Sequence, residues 1–177
     1  MIALSYLPIS KKTLKYGSHD GGATVHADDS ELNEQMKAVG TFLNLEGHHV
    51  GTQTKTLYLC GDIEGHIGFD DQLYCLDFAR VFPPEKLPAS EKKWEKSEKN
   101  TYLFKLLRPE LVKANPVPLN SDARSRFIRS DLYPEEFKTA TKQVQYPILV
   151  FIYQLLRPLR ASNRLTFYKG GDKSIAH

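Results

Sequence analysis

Apolar residues Leu32, Met36, Val39 and Leu43 recur at helical spacing directly after Asp28, Asp29 and Ser30, each a candidate N-cap. The pattern predicts an amphipathic helix over about 30–45, with Gly47 as its stop. Elsewhere in the first half the period shortens to that of strands. Residues 2–6 and 13–16 read as two short strands leading into the turn-forming run YGSHDGG. Residues 54–60, TKTLYLC between Gly51 and Gly61, read as a third. Residues 63–68 and 72–78, separated by Phe69, Asp70 and Asp71, predict a hairpin centred on Asp70.

The second half is punctuated by proline. Residues 83–100 combine three prolines with dense charge and read as a surface loop. Helical spacing returns over 101–115, where Pro109 either kinks a helix or opens a second one. Pro134, Glu135 and Glu136 mark the first turn of another helix. The run YPILVFIYQLLRPLR is apolar almost all round and predicts a core helix too short to span a bilayer. LLRP occurs at both 106–109 and 155–158, but the flanks differ, so no repeat follows. The last ten residues read as a frayed tail. The expected fold is α+β, a central antiparallel hairpin or sheet packed with helices. Residues 1–128 would form the domain core, and 129–177 a helical extension packed on the same domain.

Composition sharpens this little. A chain of 177 residues, 41% hydrophobic and 25% charged, suits one globular domain. It holds no eighteen-residue apolar run and no secretory signal pattern at its start, so the expectation is a cytoplasmic protein without a membrane span. Cys60 and Cys75 read as small buried hydrophobes. Charge does change the picture: residues 1–85 carry 6 Lys/Arg against 12 Asp/Glu, and residues 86–177 carry 18 against 9. The halves either attract each other within one fold or leave a basic surface for nucleic acid.

Candidate chemistry gathers in the hairpin. Alternate side chains of an extended run share a face, so Asp62, Glu64 and His66 project together, and the hairpin returns Asp77 close to Asp62. Three carboxylates and an imidazole suit a divalent cation or acid–base work, and equally a structural cluster satisfied by backbone donors and Arg80. The order of elements is similar to the catalytic half of kinase-like folds. Asp62 would be the base, His66 would stand for the metal-binding Asn and Asp77 would be the metal Asp, with magnesium and nucleotide as cofactors. His66 lies four residues after Asp62 where the pattern needs five, and Ala79 follows Phe78 where Gly is expected. No glycine-rich loop precedes them, so a complete ATP site is not expected.

His48 and His49 form no zinc pattern and read as surface residues. In the basic half, Arg124, Arg126 and Arg129 interleave with Phe127, and lysines surround Trp94, a composition that suits phosphates and an unpaired base.

The stretch GDIEGHIGFDDQLYCLDFARVFPPE over 61–85, with Asp62, Glu64, His66, Asp77, Arg80, Pro83 and Pro84, resembles the central signature of the Clu domain of clustered-mitochondria proteins. The likeness extends to LKYGSHDGGATVH, LNLEGHHVG, LLRPELV and PLNSDA, covering about 13–128. The resemblance implies a non-enzymatic binding module linked to mitochondrial distribution, with mRNA and translation initiation factor 3 as associated partners. It carries over no catalytic residues.

Overall fold

The structure is a computed structural model that describes residues 6–52, 55–85 and 105–144. The strand expected near 2–6 (save Tyr6), the charged loop with Trp94, the apolar run after 145 and the tail lie outside these residues.

Four strands form the central sheet: β1 Leu14–Gly17, β2 His26–Ala27, β5 Glu64–Ile67 and β6 Leu73–Leu76, in the order β2-β1-β5-β6, all antiparallel. A second, two-stranded sheet pairs β3 His48–His49 with β4 Thr56–Leu57. Three α-helices complete the described fold: α1 Ser30–Phe42, α2 Pro109–Ala114 and α3 Pro134–Gln143.

The predicted hairpin is β5–β6. Glu64 faces Leu76, Gly65 faces Cys75, His66 faces Tyr74 and Ile67 faces Leu73. Its turn closes with Gly68 N–H donating to the Gln72 carbonyl and with Asp71 at φ 60°, a left-handed conformation that Asp tolerates. The expected strand at 54–60 shrinks to Thr56–Leu57, because the chain bends into Leu59 and Cys60, both buried.

Helix α1 starts where its caps place it: Asp29 accepts the Leu32 N–H at 2.8 Å. It ends at Phe42, earlier than expected, and Gly47 is not its stop. Asn44 takes φ 61°, Leu45 N–H reaches back to the Gly40 carbonyl and Asn44 N–H to that of Thr41, a Schellman closure. The Asn44 amide then donates to the carbonyls of Val112 and Asn115, anchoring α2. Within α1 the buried positions are Leu32, Met36 and Gly40, whereas Val39, expected in the core stripe, is 42% exposed. Gly65 explains the close seat of α1 on the sheet: a Cβ there would lie 3.1 Å from Leu32 and 3.0 Å from Tyr16.

Pro109 opens α2, so the second of the two readings holds, and Leu106 and Leu107 before it run extended against Pro83–Pro84. Pro134, Glu135 and Glu136 begin α3 as the sequence indicates. Tyr16, Leu57, Leu59, Ile63, Val112, Leu119, Phe127, Ala140 and Val144 share one hydrophobic cluster, so both halves contribute to a single core. Among the described residues no helix is long and apolar enough to cross a membrane.

Candidate functional site

Between Leu119 and Ile128 the chain makes consecutive tight turns instead of a helix. Asn120 Oδ1 accepts the Asp122 N–H, Ser125 Oγ accepts the Phe127 N–H, and Arg124 takes φ 66°. The segment is fastened to the first half by the Ser121 hydroxyl on the Val81 carbonyl and by Gly51 N–H on that of Phe127. These turns drive the Asp122 carboxylate, fully buried, into the floor beneath the signature stretch.

Asp122 receives four donors there. His48 Nε2 lies 2.8 Å and Gly61 N 2.7 Å from Oδ2. Arg80 Nη2 and Ser125 Oγ each lie 3.1 Å from Oδ1. Arg80 also forks onto Asp62, Nε to Oδ2 at 2.7 Å and Nη2 to Oδ1 at 2.8 Å, the bidentate geometry that suits a guanidinium. The same guanidinium stands 4.8 Å from the centre of the Phe127 ring. Gly61 is required at this point, since a Cβ would meet that ring at 2.5 Å and Val50 at 2.8 Å.

His48 Nδ1 faces the Glu46 carbonyl at 3.3 Å, so both ring nitrogens point at acceptors, the environment of an imidazolium. Burial works against the charged ring, but the hydrogen bond and charge of Asp122 outweigh it and hold the His48 pKa above its ordinary value. Burial likewise opposes the charge on Asp122, and His48, Arg80 and the Gly61 N–H outweigh it, holding its carboxyl below the usual range. Two cations and two carboxylates thus close on each other, Asp62 alone keeping a partly exposed side chain. Cys60, buried alongside, has its thiol pushed up by burial and by the charges of Asp122 and Asp62.

The remaining signature residues lie on the hairpin. His66 is buried with Nδ1 3.0 Å from Thr13 Oγ1 and Nε2 3.2 Å from Glu64 Oε2. Asp77 is exposed at φ 61° and caps nothing. Its carboxyl is raised first by partial burial and then by the charges of Glu64 and Asp62. The carboxylates expected together are therefore within electrostatic reach. Asp62, however, is taken by Arg80 and His66 by Thr13 and Glu64. Among the described residues no group of three or more His, Cys, Asp and Glu is arranged to hold a metal ion.

At the site itself, the expectations for His48 and Phe127 change. His48, read as a surface residue, is 2% exposed, because the β3–β4 sheet turns it inward. Phe127, read as a base-stacking platform, is 5% exposed under Arg80. Arg126 is exposed and Arg124 half-buried, and neither forms an ion pair among the described residues, while Arg129 bonds Asp131 through two nitrogens. On the far side of His48 a cavity of about 360 Å³ is lined by Glu46, His49, Glu135 and Glu136, with Glu136 holding His49 N and Nδ1 at 2.7 and 2.9 Å. Sequence reasoning missed Asp122 as the centre of the site. The run PLNSDA that holds it was visible only as part of a resemblance, and 74 positions separate Asp122 from His48.

These features define an α+β module whose chemically suggestive residues are mostly bonded to one another. The sequence profile of the Clustered mitochondria (CLU) family matches residues 1–87, just under half of the chain. It is 37% identical over 87 residues to a protein of Anopheles gambiae described as "Clustered mitochondria protein homolog". That alignment takes in 45% of this chain and 6% of the length of the relative. The profile match stops before LLRPELV and PLNSDA, so Asp122 and Ser125 lie beyond it whereas His48, Asp62 and Arg80 lie within. No solved structure matches the chain.

Proposed function

We propose that the chain is a non-enzymatic binding module of the Clu type that serves mitochondrial distribution by holding a macromolecular partner in the cytoplasm. One observation carries this reading: Asp122, Arg80, Asp62 and His48 satisfy one another, with four donors on a single buried carboxylate, leaving no strong acid, base or cation there to meet a substrate. The mitochondrial part comes from the family match and the name of the mosquito relative. The test is rescue. Cells depleted of their own clustered-mitochondria protein are given this chain or its Asp122→Ala variant, and mitochondrial spread is scored. Restored spread by the parent alone supports the reading, and clustering unchanged by the parent overturns it.

RNA, or a translation initiation factor, is the partner class that the resemblance brings. Arg124 and Arg126, which form no ion pair among the described residues, favour phosphate contact. With Phe127 buried, such contact would be electrostatic, without base stacking on that ring. Binding that falls steeply with salt and weakens on Arg124→Glu with Arg126→Glu supports it, and salt-independent or absent binding removes it. Magnesium with nucleotide at an Asp62, His66 and Asp77 centre is the competing reading. A rise in melting temperature with magnesium and nucleotide, abolished by Asp77→Asn, would establish it in place of the binding module.

A further inference from the structure

Strand β6 is the outer strand of the central sheet, bonded to β5 on one side and to no other strand among the described residues. Edge strands with free backbone groups are templates for an added strand. Beside β6 lies an open groove of about 270 Å³, walled mainly by apolar residues of α1, by Leu59, Leu73, Cys75 and Phe78, with Gln35 and Tyr74 as its polar members. No charged side chain lines it. Val39, Leu73 and Phe78 are 42%, 43% and 56% exposed, an apolar surface in the acidic half of the chain.

The two faces of β6 differ. Residues directly opposite on an antiparallel pair share a face, so Cys75 with Gly65 and Leu73 with Ile67 lie on the apolar, α1 side. Tyr74 and Leu76 lie on the other, with Glu64 opposite Leu76 and Asp70 bonded to the Tyr74 hydroxyl at 2.7 Å. Asp77 follows just beyond the end of the strand, in electrostatic reach of Glu64 and Asp62, which raise its carboxyl after partial burial does, so acidic groups gather at that end of β6. A strand added to β6 alternates in the same way, with one set of side chains in the apolar groove and the other beside Asp70, Glu64 and Asp77.

We propose that β6 and the groove beneath α1 receive an extended partner segment in which apolar and basic residues alternate, bound by strand addition. Charge selects this occupant over a second copy of the chain, since two β6 edges would bring the same carboxylates together. The inference stands independently of any mitochondrial role.

Cys75 provides a local reporter. It lines the groove and is partly exposed, whereas Cys60, the other cysteine, is buried. The full 177-residue chain is labelled with N-ethylmaleimide in the presence of an acetylated and amidated octapeptide of alternating valine and lysine. At a peptide concentration about ten times its dissociation constant, Cys75 labelling slows about tenfold. Peptides with glutamate for lysine, or with proline for the alternate residues that supply strand hydrogen bonds, leave the rate unchanged. Leu73→Lys removes protection, and Asp77→Asn weakens it while the melting temperature stays close to that of the parent. Equal protection by the glutamate or proline peptide, protection by none, or slow labelling in the absence of peptide because the chain dimerises through β6 would each overturn the proposal.

Discussion

Asp122 accepts the Nε2–H of His48 at 2.8 Å across 74 positions of sequence, and both side chains are almost wholly removed from water. The bond joins a residue within the family match to one outside it, and it is supported on the other carboxylate oxygen by Arg80. Asp122 is therefore the point at which the turns of 119–128 are locked beneath the signature stretch.

Asp122→Ala leaves His48 and Arg80 charged and underpaired in the interior. Removing one partner of a buried ion pair costs about 3–5 kcal/mol, and urea unfolding should report a loss of that size. Asp122→Asn should lose less, because an amide oxygen can still accept from two of the four donors.

The network gives stability a defined dependence on pH. His48 has its folded pKa raised, so its contribution is fully present below its unfolded value near 6.5 and is lost as pH rises through the higher folded value. Asp122 has its folded pKa lowered, so its contribution is present above its unfolded value near 3.9 and is lost as pH falls through the lower folded value. Melting temperatures measured across pH should therefore be highest in mildly acidic solution, between those two unfolded values. His48→Gln should flatten the alkaline side of the curve and make the acid side shallower, because His48 is the largest of the partners that hold Asp122 down.

Gly61→Ala inserts a methyl group where the Phe127 ring would stand 2.5 Å away. Overpacking of this kind costs about 1–3 kcal/mol. The companion change Phe127→Leu should recover part of the loss, which a double-mutant comparison of melting curves would detect.

Asp77 behaves differently from Asp122. Partial burial and the charges of Glu64 and Asp62 raise its carboxyl, so its ionised form is disfavoured in the fold. It also sits at φ 61°, where Asn is as well tolerated as Asp. Asp77→Asn should leave stability within about 0.5 kcal/mol of the parent or improve it, as calorimetry at neutral pH would record.

What could be read from sequence was what neighbours decide. The Asp29 cap, the β5–β6 register and the starts of α2 and α3 follow from residues within a few positions of one another. The end of α1 was misread because Asn44 could close it in the left-handed conformation ahead of Gly47, and because its side chain found carbonyls of α2. His48 and Phe127 were misread for a different reason. A two-residue strand turns one inward, and the glycine at 61 leaves room for the other, and both depend on tertiary contacts that no local pattern carries. The acidic hairpin was legible as a cluster, but its closure by Arg80 onto Asp122 was not, since Asp122 lies 42 residues further along.

The charged residues of the signature stretch, joined to Asp122, hold the fold together. A double-mutant cycle between Arg80 and Asp122 tests this directly, using Arg80→Met, Asp122→Ala and the pair in urea unfolding. Two large single losses and a double loss well short of their sum are expected, a coupling of about 1.5 kcal/mol or more. Single losses below about 0.5 kcal/mol that simply add would contradict it, leaving Asp122 and Arg80 without the structural role assigned to them.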